Sequence, residues 1–160
     1  MARCLIIGCG CRGRALAREL VARGNAVRGT TRDPARAREI EAAGAEPVVG
    51  DPDRVATLAP SLEHVGVAVI LLGSAAGSHD ALAALHGPRL DMLLLRMLDS
   101  TVRGIVYEAT GTVDDEILAA GARRVREFCE GSRIPYALLD KSCGDWPAAG
   151  ADVVEGVLRR

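Results

Sequence analysis

The chain has 160 residues, of which 49% are hydrophobic, 26% are charged and 2% are aromatic, and its formal net charge is −1. This length fits one globular domain over residues 1–160, with a core expected over residues 3–140 and a tail or helix over residues 141–160. Near-neutral charge and scarce aromatic rings argue against nucleic acid as a partner, and no apolar run reaches the roughly 18 residues that cross a membrane. The five cysteines, an odd number, indicate free thiols and a cytoplasmic protein.

Short apolar runs alternate with amphipathic segments along the chain. The apolar runs predict six strands, over residues 4–7, 26–31, 46–49, 65–72, 104–109 and 136–140. Apolar residues at three- and four-residue spacing predict a helix that ends before residue 24, and further helices over residues 34–43, 54–59, 79–85, 89–99, 114–130 and 148–160. This alternation predicts an α/β fold, a doubly wound parallel six-stranded sheet in the order 3-2-1-4-5-6.

The sequence GCGCRG of residues 8–13 follows the first predicted strand and opens the first helix. In this setting, the spacing G-x-G-x-x-G is typical of a loop that holds the diphosphate of a dinucleotide. The first glycine makes the tight turn, the second lets backbone amides approach the phosphates, and the third lets the helix pack on the strand. The residues expected to contact the phosphates are Gly8, Gly10, Cys11, Arg12 and Gly13. The alternative is a glycine-rich turn that binds no ligand.

The two cysteines of this loop allow a second interpretation. A helix N-terminus and a neighbouring arginine lower the pKa of a thiol, so Cys9 or Cys11 is a candidate redox-sensitive thiol. Small residues also fill these positions for steric reasons, and cysteine packs as a small hydrophobe. No matching His or Cys pair stands nearby, so the sequence predicts no metal site.

The end of the second predicted strand indicates which dinucleotide binds. An acidic residue there selects NAD through the ribose 2′-hydroxyl, whereas an arginine accommodates the 2′-phosphate of NADP. Asp33 stands where the acid is expected, but Pro34 beside it predicts that Asp33 caps the next helix. Thr30, Thr31 and Arg32 then form the edge that reads the ribose, which favours NADP over NAD.

Further candidates lie at the ends of later strands. The carboxylate of Asp51 either accepts a hydrogen bond from the adenine amino group or begins a turn before a proline. Leu72 and Gly73 end the fourth strand, where the backbone passes the adenine and ribose. Tyr107 and Glu108 end the fifth strand and are the candidates for acid–base chemistry, although the sequence assigns no catalytic residue.

Several blocks across residues 3–140 carry a resemblance to a known superfamily. They are IIGCGCRGRALARELVARGNAVRGTTRDP, VVGDPD, VAVILLGSAAG, GIVYEATGTV and IPYALL. They resemble the extended and atypical short-chain dehydrogenases/reductases, which include NAD(P)-dependent epimerase/dehydratase-like and NmrA-like proteins. The resemblance implies an NAD(P)-binding Rossmann fold, cofactor phosphates at the glycine loop, an NADP phosphate at Thr31 and Arg32, and an adenine contact at Asp51. The stretches GCGCRGRALARELVARG and VVGD also look like the nucleotide-binding regulatory domains of potassium channels and transporters, which usually end the second strand in an acidic residue, where this chain has Thr30, Thr31 and Arg32.

Two features depart from that superfamily. Its catalytic Tyr-x-x-x-Lys pair has no counterpart, because Gly111 stands four residues after Tyr107 and Asp140 four residues after Tyr136. Its members also carry a C-terminal substrate domain, and about twenty residues follow residue 140 here. Trp146, the single tryptophan, is expected to anchor these residues to the core or to another subunit.

The sequence therefore predicts an NADP-preferring dinucleotide-binding protein whose small-molecule substrate is unknown. One alternative is a small NADP-dependent reductase or epimerase that completes its site as a homodimer, with the acid–base group supplied by Tyr107, by Glu108 or by the partner subunit. Another is an NADP or redox sensor, or a regulatory binding module, that uses Cys9 and Cys11 and a protein partner.

Overall fold

The computed structural model describes residues 3–160, in which six strands alternate with helices. The strands are β1 (Arg3–Ile7), β2 (Ala26–Thr31), β3 (Glu46–Val49), β4 (Val67–Ile70), β5 (Gly104–Glu108) and β6 (Tyr136–Leu139). The α-helices are α1 (Cys11–Ala22), α2 (Ala37–Ala42), α3 (His79–Leu85), α4 (Pro88–Leu98), α5 (Asp115–Ser132) and α6 (Ala148–Leu158). Two 3₁₀ helices span Pro34–Arg36 and Val55–Leu62. None of the helices in residues 3–160 is long and apolar enough to cross a membrane.

The six strands form one parallel sheet in the order β3-β2-β1-β4-β5-β6. This is the doubly wound α/β fold predicted from the sequence, which is therefore confirmed. The connections reverse direction between β1 and β4, and the crevice outside the carboxyl ends of strands at such a point is where these sheets bind ligands.

Helices cover both faces of the sheet, and each face has its own core. One core joins the sheet to α3, α4, α5 and the longer 3₁₀ helix, and the other joins it to α1, α2 and α6. β4 lies at the centre and is fully buried, with Ala68 and Ile70 in the first core and Val67 and Val69 in the second. Burial on both faces explains why this strand has no polar residue.

Most elements lie within one or two residues of their predicted bounds, and three differ more in length or in type. β4 was predicted over residues 65–72, but regular pairing ends at Ile70, although the Leu71 N–H still donates to the Ile7 carbonyl at 2.9 Å. The helix predicted over residues 54–59 is the 3₁₀ helix Val55–Leu62, which contains Pro60 and so lacks one backbone donor. The helix predicted from residue 34 begins as a 3₁₀ turn before α2.

Candidate functional site

A cleft of about 560 Å³ opens at the carboxyl edge of the sheet. It lies where β1, β2 and β4 end, and it continues along the start of α3 to the end of β5. Among the predicted cofactor-binding residues, those that line it are Gly8, Gly10, Cys11, Arg12, Gly13, Thr30, Thr31, Arg32 and Leu72. Elements far apart in sequence thus bring most of the predicted set to one cavity.

The three glycines of the loop differ in what the protein's own packing requires of them. Gly8 has a φ of +85°, and a Cβ there would lie 2.5 Å from the Leu71 carbonyl oxygen. A Cβ on Gly13 would lie 3.2 Å from the Gly8 carbonyl oxygen, which is the close approach of helix to strand. A Cβ on Gly10 would have no atom of residues 3–160 within 4 Å apart from Gly10 itself and its two chain neighbours. The space in front of Gly10 is therefore open to the cleft.

Thr30 holds the glycine loop against β2. Its hydroxyl oxygen accepts a hydrogen bond from the Gly8 N–H at 3.2 Å, and its carbonyl accepts one from the Cys9 N–H at 3.0 Å. Thr30 is 1% exposed, so its hydroxyl stabilises the loop from the buried side. This position does not fit the ribose-reading role predicted for Thr30, and the exposed edge at the end of β2 consists of the residues that follow it.

Two arginines line the cleft just beyond β2. Arg32 is exposed and forms no ion pair within residues 3–160, and Arg36 reaches the same cleft from the next turn. Asp33 caps that turn, as predicted, because its Oδ1 accepts a hydrogen bond from the Ala35 N–H at 3.0 Å. The sequence does not predict Arg36 as a site residue, because its position in the cleft depends on the 3₁₀ turn Pro34–Arg36.

The two loop cysteines have different surroundings. Cys9 is 4% exposed, and its Sγ fills the space above Gly29, where a Cβ would lie only 2.7 Å from it. Burial raises the pKa of the Cys9 thiol to about 11, so this side chain is an uncharged packing residue at neutral pH. This burial does not agree with the role of redox-sensitive thiol predicted for Cys9. Cys11 is exposed at the start of α1 and lines the cleft.

Asp51 and Gly73 lie beside the cleft and do not line it. The Asp51 carboxylate accepts a hydrogen bond from the Asp53 N–H at 2.9 Å, so it begins the turn after β3. Asp53 lines the cleft in its place, and no signal in the sequence distinguished the two acids. The Gly73 N–H donates to Glu108 Oε1 at 2.9 Å, so Gly73 supports a side chain that does face the cleft.

Tyr107 belongs to the core and not to the site. It is fully buried, and its hydroxyl lies 2.6 Å from Nδ1 of His86, which is 2% exposed. His86 Nε2 lies 2.9 Å from the Leu72 carbonyl, which only accepts, so Nε2 carries the proton and Nδ1 accepts from the tyrosine. Burial raises the pKa of Tyr107, which keeps it protonated. The candidate acid–base role of Tyr107 does not agree with this placement.

Glu108 points the opposite way from Tyr107, into the cleft, and is 3% exposed. Its Oε2 lies 3.0 Å from Arg12 Nε, while Oε1 accepts the Gly73 N–H. The carboxylate is therefore paired with the Arg12 guanidinium on one oxygen and hydrogen-bonded to a backbone N–H on the other, so neither buried oxygen lacks a partner. No group of three or more His, Cys, Asp or Glu side chains converges as a metal site within residues 3–160.

The chain that carries this cleft matches a known protein family. A family model described as NAD(P)H-binding matches residues 8–140, which includes the glycine loop and all the strands from β2 to β6. The chain belongs to this NAD(P)H-binding family. A search against curated proteins found no match.

Solved structures with bound dinucleotides share the fold of this NAD(P)H-binding chain. A short-chain dehydrogenase/reductase superfamily protein from Agrobacterium tumefaciens with bound NAD has a TM-score of 0.70 at 19% identity, covering 85% of this chain and 48% of that one. Triphenylmethane reductase from Citrobacter sp., complexed with NADP(H), has a TM-score of 0.64 at 16% identity, covering 84% and 48%. UDP-glucuronic acid 4-epimerase from Bacillus cereus, with NAD, has a TM-score of 0.65 at 13% identity, covering 85% and 55%.

These likenesses show the Rossmann fold of the superfamily that the sequence resembles, and that resemblance is confirmed. The chain spans about half the length of each of these three proteins. Neighbours with NAD and neighbours with NADP(H) are both present, so the fold alone does not select between the two cofactors.

Proposed function

We propose that this chain is a dinucleotide-binding domain that prefers NADP(H) to NAD(H). The observation that carries the preference is Arg32, an exposed guanidinium in the cleft at the end of β2 with no ion-pair partner in residues 3–160. Arg36 adds a second positive charge to the lining. A 2′-phosphate supplies several charged acceptor oxygens that an arginine fork binds in pairs, whereas the 2′-hydroxyl of an unmodified ribose supplies a single uncharged oxygen.

The glycine loop supports the proposal because its open part fits a diphosphate. The empty space in front of Gly10 is the volume that a Cβ would fill and that the protein's own packing leaves unused. Gly10 is also the N-cap of α1, so the first N–H groups of a twelve-residue helix face that space. These groups and the helix dipole favour bound phosphate. When bound, NADP(H) would supply hydride transfer, and the residues described here would bind and orient it.

The preference is tested by calorimetric titration of the chain with NADPH and NADH. We expect NADPH to bind more tightly than NADH. We expect Arg32→Ala to lower the affinity for NADPH by about tenfold or more, because this is the loss typical of a hydrogen bond to a charged group. Binding of NADH should change by less than about twofold, because the 2′-hydroxyl offers no charge to lose. Arg38→Ala is the matched control, since Arg38 is exposed on α2 and does not line the cleft. Equal affinities of the wild type for both cofactors would refute the preference.

A second candidate, a small reductase or epimerase, is favoured by one observation. Glu108 is an ionisable side chain that faces the cleft, whereas Tyr107 does not. Such an enzyme would need its remaining residues from another subunit, because the Tyr-x-x-x-Lys pair has no counterpart here. Oxidation of NADPH with carbonyl or quinone substrates, abolished in Glu108→Gln and retained in Tyr107→Phe, would support it. Tight NADPH binding without turnover supports the binding domain.

A further inference from the structure

Arg12 is held on two sides in the cleft. Its Nε lies 3.0 Å from Glu108 Oε2, and its Cζ lies 4.0 Å from the ring centroid of Trp146. The Trp146 Nε1–H in turn donates to the Arg12 carbonyl oxygen at 3.1 Å. Trp146 stands in the connection between β6 and α6, so three segments that are distant in sequence meet at this one guanidinium.

The contacts leave one edge of the guanidinium free. Arginine has five N–H donors in a planar fork, and in residues 3–160 only Nε has a hydrogen-bond partner. The Arg12 side chain is 47% exposed, whereas that of Glu108 is 4% exposed. The terminal nitrogens therefore face solvent within the cleft, beside the open space at Gly10.

We propose that Glu108 and Trp146 are positioning residues that orient Arg12 so that its terminal nitrogens bind a phosphate of the dinucleotide. Glu108 fixes one edge of the fork, and the indole fixes its plane by a cation–π contact. A side chain oriented before binding loses less rotamer entropy when it binds, so the same hydrogen bonds give more affinity. This inference rests on the proposed function, because it assigns roles within the same dinucleotide site.

The ion pair of Arg12 and Glu108 also reduces the negative charge in the cleft. A buried carboxylate in the cleft would repel a diphosphate, and Arg12 neutralises it while the four N–H donors of its two terminal nitrogens stay available. Removal of Arg12 alone therefore has two costs, a lost phosphate contact and an uncompensated Glu108. Removal of both residues eliminates the second cost, so the two substitutions should not be additive.

The test is a set of double-mutant cycles with calorimetric binding of NADP⁺ as the readout. We expect Arg12→Ala to lower the affinity by about tenfold or more, as for a charged hydrogen bond. Trp146→Leu should lower it by about threefold or more and Trp146→Phe by less, because phenylalanine keeps an aromatic face. In the Arg12→Ala background, both Trp146 substitutions should change the affinity by less than about twofold.

Glu108→Ala gives a second cycle. Its effect on affinity should be at least about threefold more unfavourable with Arg12 present than in Arg12→Ala, where it removes only repulsion. Thermal melts confirm that each variant folds, and if Glu108→Ala does not, the Trp146 cycle decides. Binding by the wild type with additive effects in the cycles overturns this inference and leaves the proposed function standing. No binding of NADP⁺ by the wild type overturns both.

Discussion

Gly10 is the residue of the loop that the free protein does not itself require. A Cβ at this position would meet no atom of residues 3–160 within 4 Å beyond Gly10 and its two chain neighbours, unlike a Cβ at Gly8 or Gly13. We therefore expect Gly10→Ala to cost at most about 1 kcal/mol in the free energy of unfolding, through its N-cap position. The same methyl group should lower the affinity for NADPH by about tenfold or more, because it lies where the backbone amides would contact the phosphates.

Urea unfolding and calorimetric titration measure the two effects separately. Gly131→Ala is the control, because it also places a methyl group in open space but lies on α5, away from the cleft. It should leave NADPH binding unchanged. Undiminished NADPH affinity in Gly10→Ala would show that phosphates do not approach this part of the loop.

His86 makes stability depend on pH. It is buried and neutral between Tyr107 and the Leu72 carbonyl, and desolvation lowers its pKa below the ordinary 6.5. The unfolded state therefore binds more protons than the native state below about pH 6.5. We expect the free energy of unfolding to fall as pH falls from about 6.5 toward the lower native pKa, by at most about 1.4 kcal/mol per pH unit.

Urea unfolding of the wild type and His86→Gln at pH 7.5 and 5.5 tests this expectation. The wild type should lose more stability between the two pH values than His86→Gln does. His64→Gln is the control, because His64 is an exposed surface residue, and it should keep the full wild-type dependence. An identical pH dependence in His86→Gln and the wild type would contradict the assignment of a buried neutral imidazole.

At the scale of elements, α6 determines where Trp146 lies relative to the glycine loop. A Cβ on Gly150 would overlap the indole ring, so the ring packs directly on the backbone of α6. We expect Gly150→Ala to displace the indole toward solvent and to shift its fluorescence emission to longer wavelength. Trp146 is the single tryptophan, so the intrinsic emission reports this contact alone.

Gly156→Ala is the control in the same helix. Apart from its chain neighbours and the backbone of its own helix, a Cβ at that position has no atom of residues 3–160 within 4 Å, so the emission should not change. Replacing a helical glycine should also raise stability by up to about 1 kcal/mol. Unchanged emission in both variants would show that the indole does not rest on Gly150 in solution.

For the molecule as a whole, the sequence predicts what depends on local signals. Apolar runs, glycine breaks and the loop at residues 8–13 predicted the six strands and their order, because each signal lies within one element. The ion pair of Arg12 and Glu108 joins residues 96 positions apart and exists only because β1 and β5 flank β4. No pattern within either segment indicates it.

Turn geometry explains the site residues that were misplaced. Asp51 and Asp53 are both acids in one turn, and only the backbone path decides that Asp53 faces the cleft. Tyr107 and Glu108 are neighbours on a strand, so they point to opposite faces. Which face each occupies depends on the register of β5 against β4, and that register assigns Tyr107 to the core.

The central claim is that a dinucleotide occupies the cleft between the glycine loop and the end of β2. The most direct measurement is an NMR titration of the ¹⁵N-labelled chain with NADP⁺, in which backbone amide shifts are followed. We expect the largest shifts at the amides of Gly10, Cys11, Arg12, Gly13 and Arg32. Absence of shifts at these amides, or shifts confined to a face away from the cleft, would contradict it.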